Sequence, residues 1–296
     1  FFSAFVMMLA FSLAVLLECV LLSHAASQGF ESFAVLDDFP QRFTRLHIDP
    51  LPAKRGVCPV ATTWTILPVA EGDPASISSR PAGLFDAALS PRDDGVLEFR
   101  HNRVSDDNPK EAGMLIRVPE GRLKGVSVTG RHTVIVPRGG GLQEVEASGM
   151  SDLHVSGVRL AVHASGMAHV SATGSEVAVI ASGQARVTVI ASTAVWLRLE
   201  GQARVDVSGS ASVSGALEGQ AVVAIASLGS LGTITATGQA HVQVPIGVPC
   251  TTVVTEEQAY CSQRNVRIRD SMRTTKAYNT PSYRFCDVEP EQGYSV

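Results

Sequence analysis

Glycan cleavage needs two carboxylates a few ångströms apart, or a Lys or Arg base beside a metal-binding acid, and the acids of this chain fall into two sets. Between Ala147 and Val244 there are only Asp152, Glu176, Glu200, Asp206 and Glu218. Between Asp37 and Asp107 they are denser and include Asp86, Asp93, Asp94, Asp106 and Asp107, mostly in polar stretches that read as solvated turns. Glu200 and Glu218 each precede a glycine of an internal repeat, so they stack on one edge, where like charges oppose edge-to-edge association. His169, Arg186, Arg204, Val222 and His241 occupy one repeat position, three residues after a glycine. That position points outward and makes a solvent-facing stripe, with an anionic glycan or envelope polymer as a candidate contact.

Other constellations are missing from the sequence. Gly139 to Gly141 lack the Lys-Ser/Thr that a phosphate-cradling loop requires, and no GxSxG elbow, HExxH pair or EF-hand loop occurs. No catalytic residue, cofactor site or metal site is therefore assigned. Trp196, between Val195 and Leu197, reads as a corner or lateral packing residue rather than a sugar-stacking platform. Removal of an apolar leader with Cys19 leaves Cys58, Cys250, Cys261 and Cys286 as candidate disulfide cysteines. Three of these lie in the tail, so one disulfide is expected there and the remaining cysteines stay unassigned. Zinc is disfavoured, because no histidine follows His241 and no CxxC pair is present.

The elements that position these residues come from repetition. One phrase recurs six times, as ASGMSDLHV, ASGMAHVSA, ASGQARVTV, LEGQARVDV, LEGQAVVAI and ATGQAHVQV. Its glycines, Gly149, Gly166, Gly183, Gly201, Gly219 and Gly238, are 17, 17, 18, 18 and 19 residues apart. After each glycine apolar residues alternate with polar ones, as in Ala203, Arg204, Val205, Asp206 and Val207, which is a strand pattern. A second small-residue turn follows, at Ser156-Gly157, Thr173-Gly174, Ser192-Thr193, Ser208-Gly209 and Leu228-Gly229-Ser230. Each coil thus has two strands and two corners. Such a coil cannot bury its apolar row alone and must stack on copies of itself. The expected fold is all-β, a single parallel β-solenoid with coils of about 17–19 residues. An antiparallel meander is the alternative, weakened by the absence of Asn-Gly or Asp-Gly turns within the repeats.

Composition fits thin aliphatic layers: 45% of residues are hydrophobic and only 6% aromatic. A net charge of -4 gives no electrostatic basis for nucleic-acid binding. The apolar run that opens the chain, followed by SHAASQG, reads as a secretory signal or a membrane anchor over residues 1–25, with residues 1–22 as the possible tether. The solenoid is expected over residues 43–246, entered gradually through imperfect coils, and residues 247–296 form a cysteine-containing tail or cap.

The succession of FTRLHI, DDGVLEFRH, IRVPEGRLKGVSVTG and serial SG-x-x-x-V turns over residues 43–246 resembles the head GIN domain family of autotransporter adhesins. That family's corners tend to read SGSGD or SGAGD, where this chain has SGM, SGQA or EGQA. The resemblance implies a β-helical, secreted or surface-exposed domain engaged in adhesion or cell-envelope interaction, with glycans, envelope polymers or other surface proteins as partners. It implies no catalytic residue. Two expectations result: a non-enzymatic surface solenoid, and, as the alternative, a glycan-active lyase or hydrolase built on a β-helix.

Overall fold

Alternating side chains put every second residue of a strand on one face, and in this protein the apolar set closes on itself. The structure is a computed structural model that describes residues 34–35, 42–49, 62–80, 85–90, 95–101, 112–137 and 141–264. The expected leader (1–25), Cys58, Cys286, Asp93, Asp94, Asp106 and Asp107 lie outside the described residues. The amino-terminal strands are β1 (Ala34–Val35), β2 (Arg45–Ile48), β3 (Thr62–Val69), β4 (Ser76–Arg80), β5 (Phe85–Leu89), β6 (Val96–His101) and β7 (Ala112–Pro119). The repeats give β8 (Gly125–Gly130), β9 (His132–Val136), β10 (Glu144–Gly149), β11 (Asp152–Ser156), β12 (Arg159–Ala164), β13 (His169–Ala181) and β14 (Arg186–Leu199). They continue as β15 (Arg204–Gly209), β16 (Ser212–Leu217), β17 (Val222–Ile225), β18 (Ser230–Ala236), β19 (His241–Val244), β20 (Val253–Thr255) and β21 (Tyr260–Gln263).

These strands form two parallel ladders. The first runs β8, β10, β12, the second halves of β13 and β14, β16, β18 and β20. The second runs β9, β11, the first halves of β13 and β14, β15, β17, β19 and β21. The result is a parallel β-solenoid of about eight turns, roughly 40 Å long at the ~4.8 Å spacing of neighbouring strands. Among the described residues, antiparallel pairing is confined to β1, β4 and β5 with their partners, which rules out the meander. Val187, Val205 and Val223 are direct partners in successive layers.

The entry into the rod departs from a gradual stack in chain order. The β2–β3 layer lies between β8–β9 on one side and β6–β7 on the other. The layer later in sequence is therefore outermost, with β4 laid antiparallel on β7 and β5 on β6. This arrangement covers an end that would otherwise present unpaired backbone donors and acceptors.

Burial follows the columns. Val134, Leu153, Val170, Val187, Val205, Val223 and Val242 form one inner row of the second ladder, each at most 3% exposed. Each such side chain contributes about 1.5–3 kcal/mol through removal from water. Beside the tight corners the inner row is made of small residues, Ser151, Ala168, Ala185, Ala203, Ala221 and Ala240, each buried. Larger groups occupy the amino-terminal end, where Trp64 packs edge-on against Phe99 with ring centroids 4.9 Å apart.

At the tight corner the six repeat glycines take φ between 67° and 78°. A seventh analogue of the phrase, Glu256-Glu257-Gln258, carries the corner one turn further, with Glu257 at φ 60° in the position of the glycine. A left-handed non-glycine residue costs about 1–2 kcal/mol, and glycine returns about 0.5–1 kcal/mol of that through its freer unfolded chain. Glu257→Gly is therefore expected to stabilise the last turn by about 0.5–1 kcal/mol, read as a higher urea midpoint with an unchanged slope. A lower midpoint would mean that the Glu257 side chain contributes more than its backbone loses.

Candidate functional site

The solenoid offers two outward faces and one tight-corner edge, and each carries polar side chains in columns one layer apart. On the edge, backbone N–H groups of Ser165, Ser182, Glu200, Glu218, Thr237 and Glu256 bond to the preceding layer at 2.8 or 2.9 Å. Glu200 and Glu218 thus occupy consecutive layers of one edge. Arg198 donates to Glu200 at 3.1 Å, which offsets part of the repulsion between them.

Beside this column runs a glutamine ladder. Gln184 Nε2 donates to Gln202 Oε1 at 3.3 Å, Gln202 to Gln220 at 2.9 Å, Gln220 to Gln239 at 3.1 Å and Gln239 to Gln258 at 3.1 Å. Stacked in-register amides of this kind stabilise parallel β-stacks, and here they fix the spacing of exposed corners. The ladder is not among the expectations drawn from the sequence, although a glutamine directly after the glycine in four successive repeats carries the signal.

The second ladder's outward face holds the stripe read from the sequence. His169, Arg186, Arg204, Val222 and His241 are successive partners, followed by Tyr260. Arg204 pairs with Asp206 at 3.0 Å, whereas among the described residues Arg186 has no ion-pair partner. His241 stacks on Tyr260 with ring centroids 4.0 Å apart. Its Nε2 is 2.8 Å from Ser262 Oγ and its Nδ1 is 3.2 Å from Gln243 Nε2. Partial burial, and secondarily the Arg264 charge, hold the His241 pKa below the usual imidazole value. The face is therefore mixed rather than polycationic.

The first ladder's outward face holds Trp196, and here the structure corrects the sequence reading. Trp196 lies mid-strand on β14, points outward and is 49% exposed, so it is not a corner or packing residue. Strand parity explains the difference: Val195, Leu197 and Leu199 face inward at 4% exposure or less, which turns Trp196 outward. Its column partners are Ala178 and Ser214, and Ala194, Ser212 and Ala216 occupy adjoining places on the same face. Ile180, on the neighbouring strand, is 43% exposed. Charges near this patch are internally paired, Arg159 with Glu176 and Arg198 with Glu200, each at 3.1 Å.

Among the described residues, no group of three or more His, Cys, Asp or Glu side chains is placed to hold a metal ion. The cleft bounded by Ile66, Val118, Leu123 and Val136 has about 20 Å³ of space, room for about one water. A disulfide joins Cys250 to Cys261.

No protein-family model matches the chain, and no curated protein matches it in sequence. Solved structures of similar shape include a "putative adhesin" from Bacteroides fragilis, 14% identical, spanning 80% of this chain and 98% of its own, with a TM-score of 0.43. An adhesin of the same description from Parabacteroides merdae is 11% identical, spans 79% of this chain and 97% of its own, and has a TM-score of 0.41. A "putative lipid binding protein" from Parabacteroides distasonis is 8% identical, spans 79% of this chain and 97% of its own, and has a TM-score of 0.34. At these values the likeness assigns no activity to this chain. The GIN-domain resemblance rests on the sequence pattern alone.

Proposed function

We propose that this chain is a non-enzymatic β-solenoid acting outside the cell or at its surface, as an adhesion or cell-envelope interaction module of the GIN-domain kind. The observation that carries this reading is the pair of flat outward faces, on which side chains recur in columns about 4.8 Å apart over about eight turns. Individually weak contacts repeated along such a face add through effective concentration. Glycans, envelope polymers or other surface proteins are the partners this surface suits.

The test is to incubate the full chain with whole cells and with purified envelope polysaccharides, scoring retention and new reducing ends or unsaturated products side by side. Retention without turnover is the expected result. Product formation that disappears on substitution of Asp93 and Asp94 would instead assign a glycan-active enzyme.

A further inference from the structure

We infer that Trp196 is the centre of a carbohydrate-stacking site on the first ladder's outward face, taking the flat face of an uncharged sugar ring. The inference deepens the proposed function and rests on it. An indole has a large apolar face and one polar edge, so it is half-exposed at a cost unless something covers it. Glu176, Ile180 and Arg198 border the ring, and its other five neighbours on this face, Ala178, Ala194, Ser212, Ser214 and Ala216, are small. They form a low floor from which the ring stands clear, accessible to a flat ligand. Hydroxyls of Ser212 and Ser214 and the Arg198–Glu200 pair lie on the same face, where a sugar's hydroxyl groups can donate to and accept from them.

Charge and area choose between occupants. Both nearby arginines are already paired with carboxylates, so the patch has no net field to attract a polyanion or an anionic membrane. Membrane insertion would also call for several protruding apolar groups, whereas Trp196 and Ile180 alone protrude among the described residues of this patch. Two half-exposed side chains supply on the order of 200 Å², far below the ~800 Å² per partner of a stable protein interface. A single sugar ring matches that area.

Trp64, fully buried, and Trp196, 49% exposed, are the chain's two tryptophans, so acrylamide quenching reports on Trp196. Hexamers of β-1,4-linked glucose, N-acetylglucosamine and xylose serve as probes for the full chain. At least one is expected to shield Trp196 and to bind, with Trp196→Ala weakening that binding about tenfold or more and Trp196→Phe about threefold or less. Unchanged circular dichroism and melting of Trp196→Ala shows that the loss is local. Failure of every hexamer to shield Trp196, or equal binding by Trp196→Ala, overturns the inference. So does a Trp196-dependent blue shift on phosphatidylcholine–phosphatidylglycerol vesicles alone, or a sedimenting dimer that Trp196→Ala abolishes. If Trp196→Ala adheres to envelope material as well as the parent does, the sugar platform falls and the adhesion reading stands. If the parent does not adhere, the adhesion reading itself falls.

Discussion

Gly209→Ala is expected to destabilise the rod by about 2–5 kcal/mol, more than alanine at a tight-corner glycine. Gly209 closes β15 at the second corner with φ 120°, and a Cβ there would lie 1.9 Å from the Ala191 carbonyl oxygen of the layer beneath. That atom is backbone and is already engaged, accepting from the Ser210 N–H at 3.2 Å. It cannot swing away as a side-chain tip could. The disfavoured φ costs about 1–2 kcal/mol and overpacking about 1–3 kcal/mol more. At Gly201, by contrast, a Cβ would meet Gly183 at 3.4 Å, an ordinary contact, although φ is 72°. Gly201→Ala should therefore cost only the conformational part, about 1–2 kcal/mol. For a domain of this size each kcal/mol shifts the melting midpoint by about 2–4 °C, so calorimetry separates the two variants by several degrees. Equal midpoints would mean that the corner at Gly209 can open, and that the layers are not held at the spacing described.

The contrast shows what was legible in the sequence. The tight corner announces itself because the same glycine phrase recurs, and the inner valine rows follow from alternation after it. Both are local signals, and they were enough to specify two ladders, two corners and outward-facing His169, Arg186 and Arg204. The severity at Gly209 was not legible, because it depends on how closely one layer's backbone crosses the next. Glu257 was hidden for the opposite reason, as it occupies a glycine position without being glycine. The β2–β3 layer escaped because its partners are distant in sequence and out of chain order, and no spacing encodes that. Trp196 was within reach of the sequence: alternation through Val195, Leu197 and Leu199 turns it outward, but its aliphatic neighbours suggested packing. The glutamine ladder was equally within reach, since only stacked coils bring four identical positions into a hydrogen-bonded line.

Removing the Cys250–Cys261 disulfide, by reduction or as Cys250→Ser with Cys261→Ser, is expected to free the last turn and leave the middle of the rod intact. The bridge spans 11 residues, and closing a loop of that length removes about 3 kcal/mol of chain entropy from the unfolded turn. Its location determines where that loss is felt. Cys261 stands beneath Val242 in the inner row, and Cys250 belongs to the short 3₁₀ turn before β20. Val248, Val253 and Ala259 are only partly buried at this end, so little apolar area remains to hold β20 and β21 once the bridge is gone. Stability in a stacked rod is a sum over adjacent layers. A deficit at the end therefore melts the end, rather than being shared with the β14 to β17 layers. Hydrogen exchange should show about a hundredfold loss of protection at Val253–Thr255 and Tyr260–Gln263, the equivalent of about 3 kcal/mol, with Val187, Val205 and Val223 unchanged. Uniform loss along the chain would mean that the turns unfold as one cooperative unit, and no loss at all would mean that layer stacking alone secures the terminal strands.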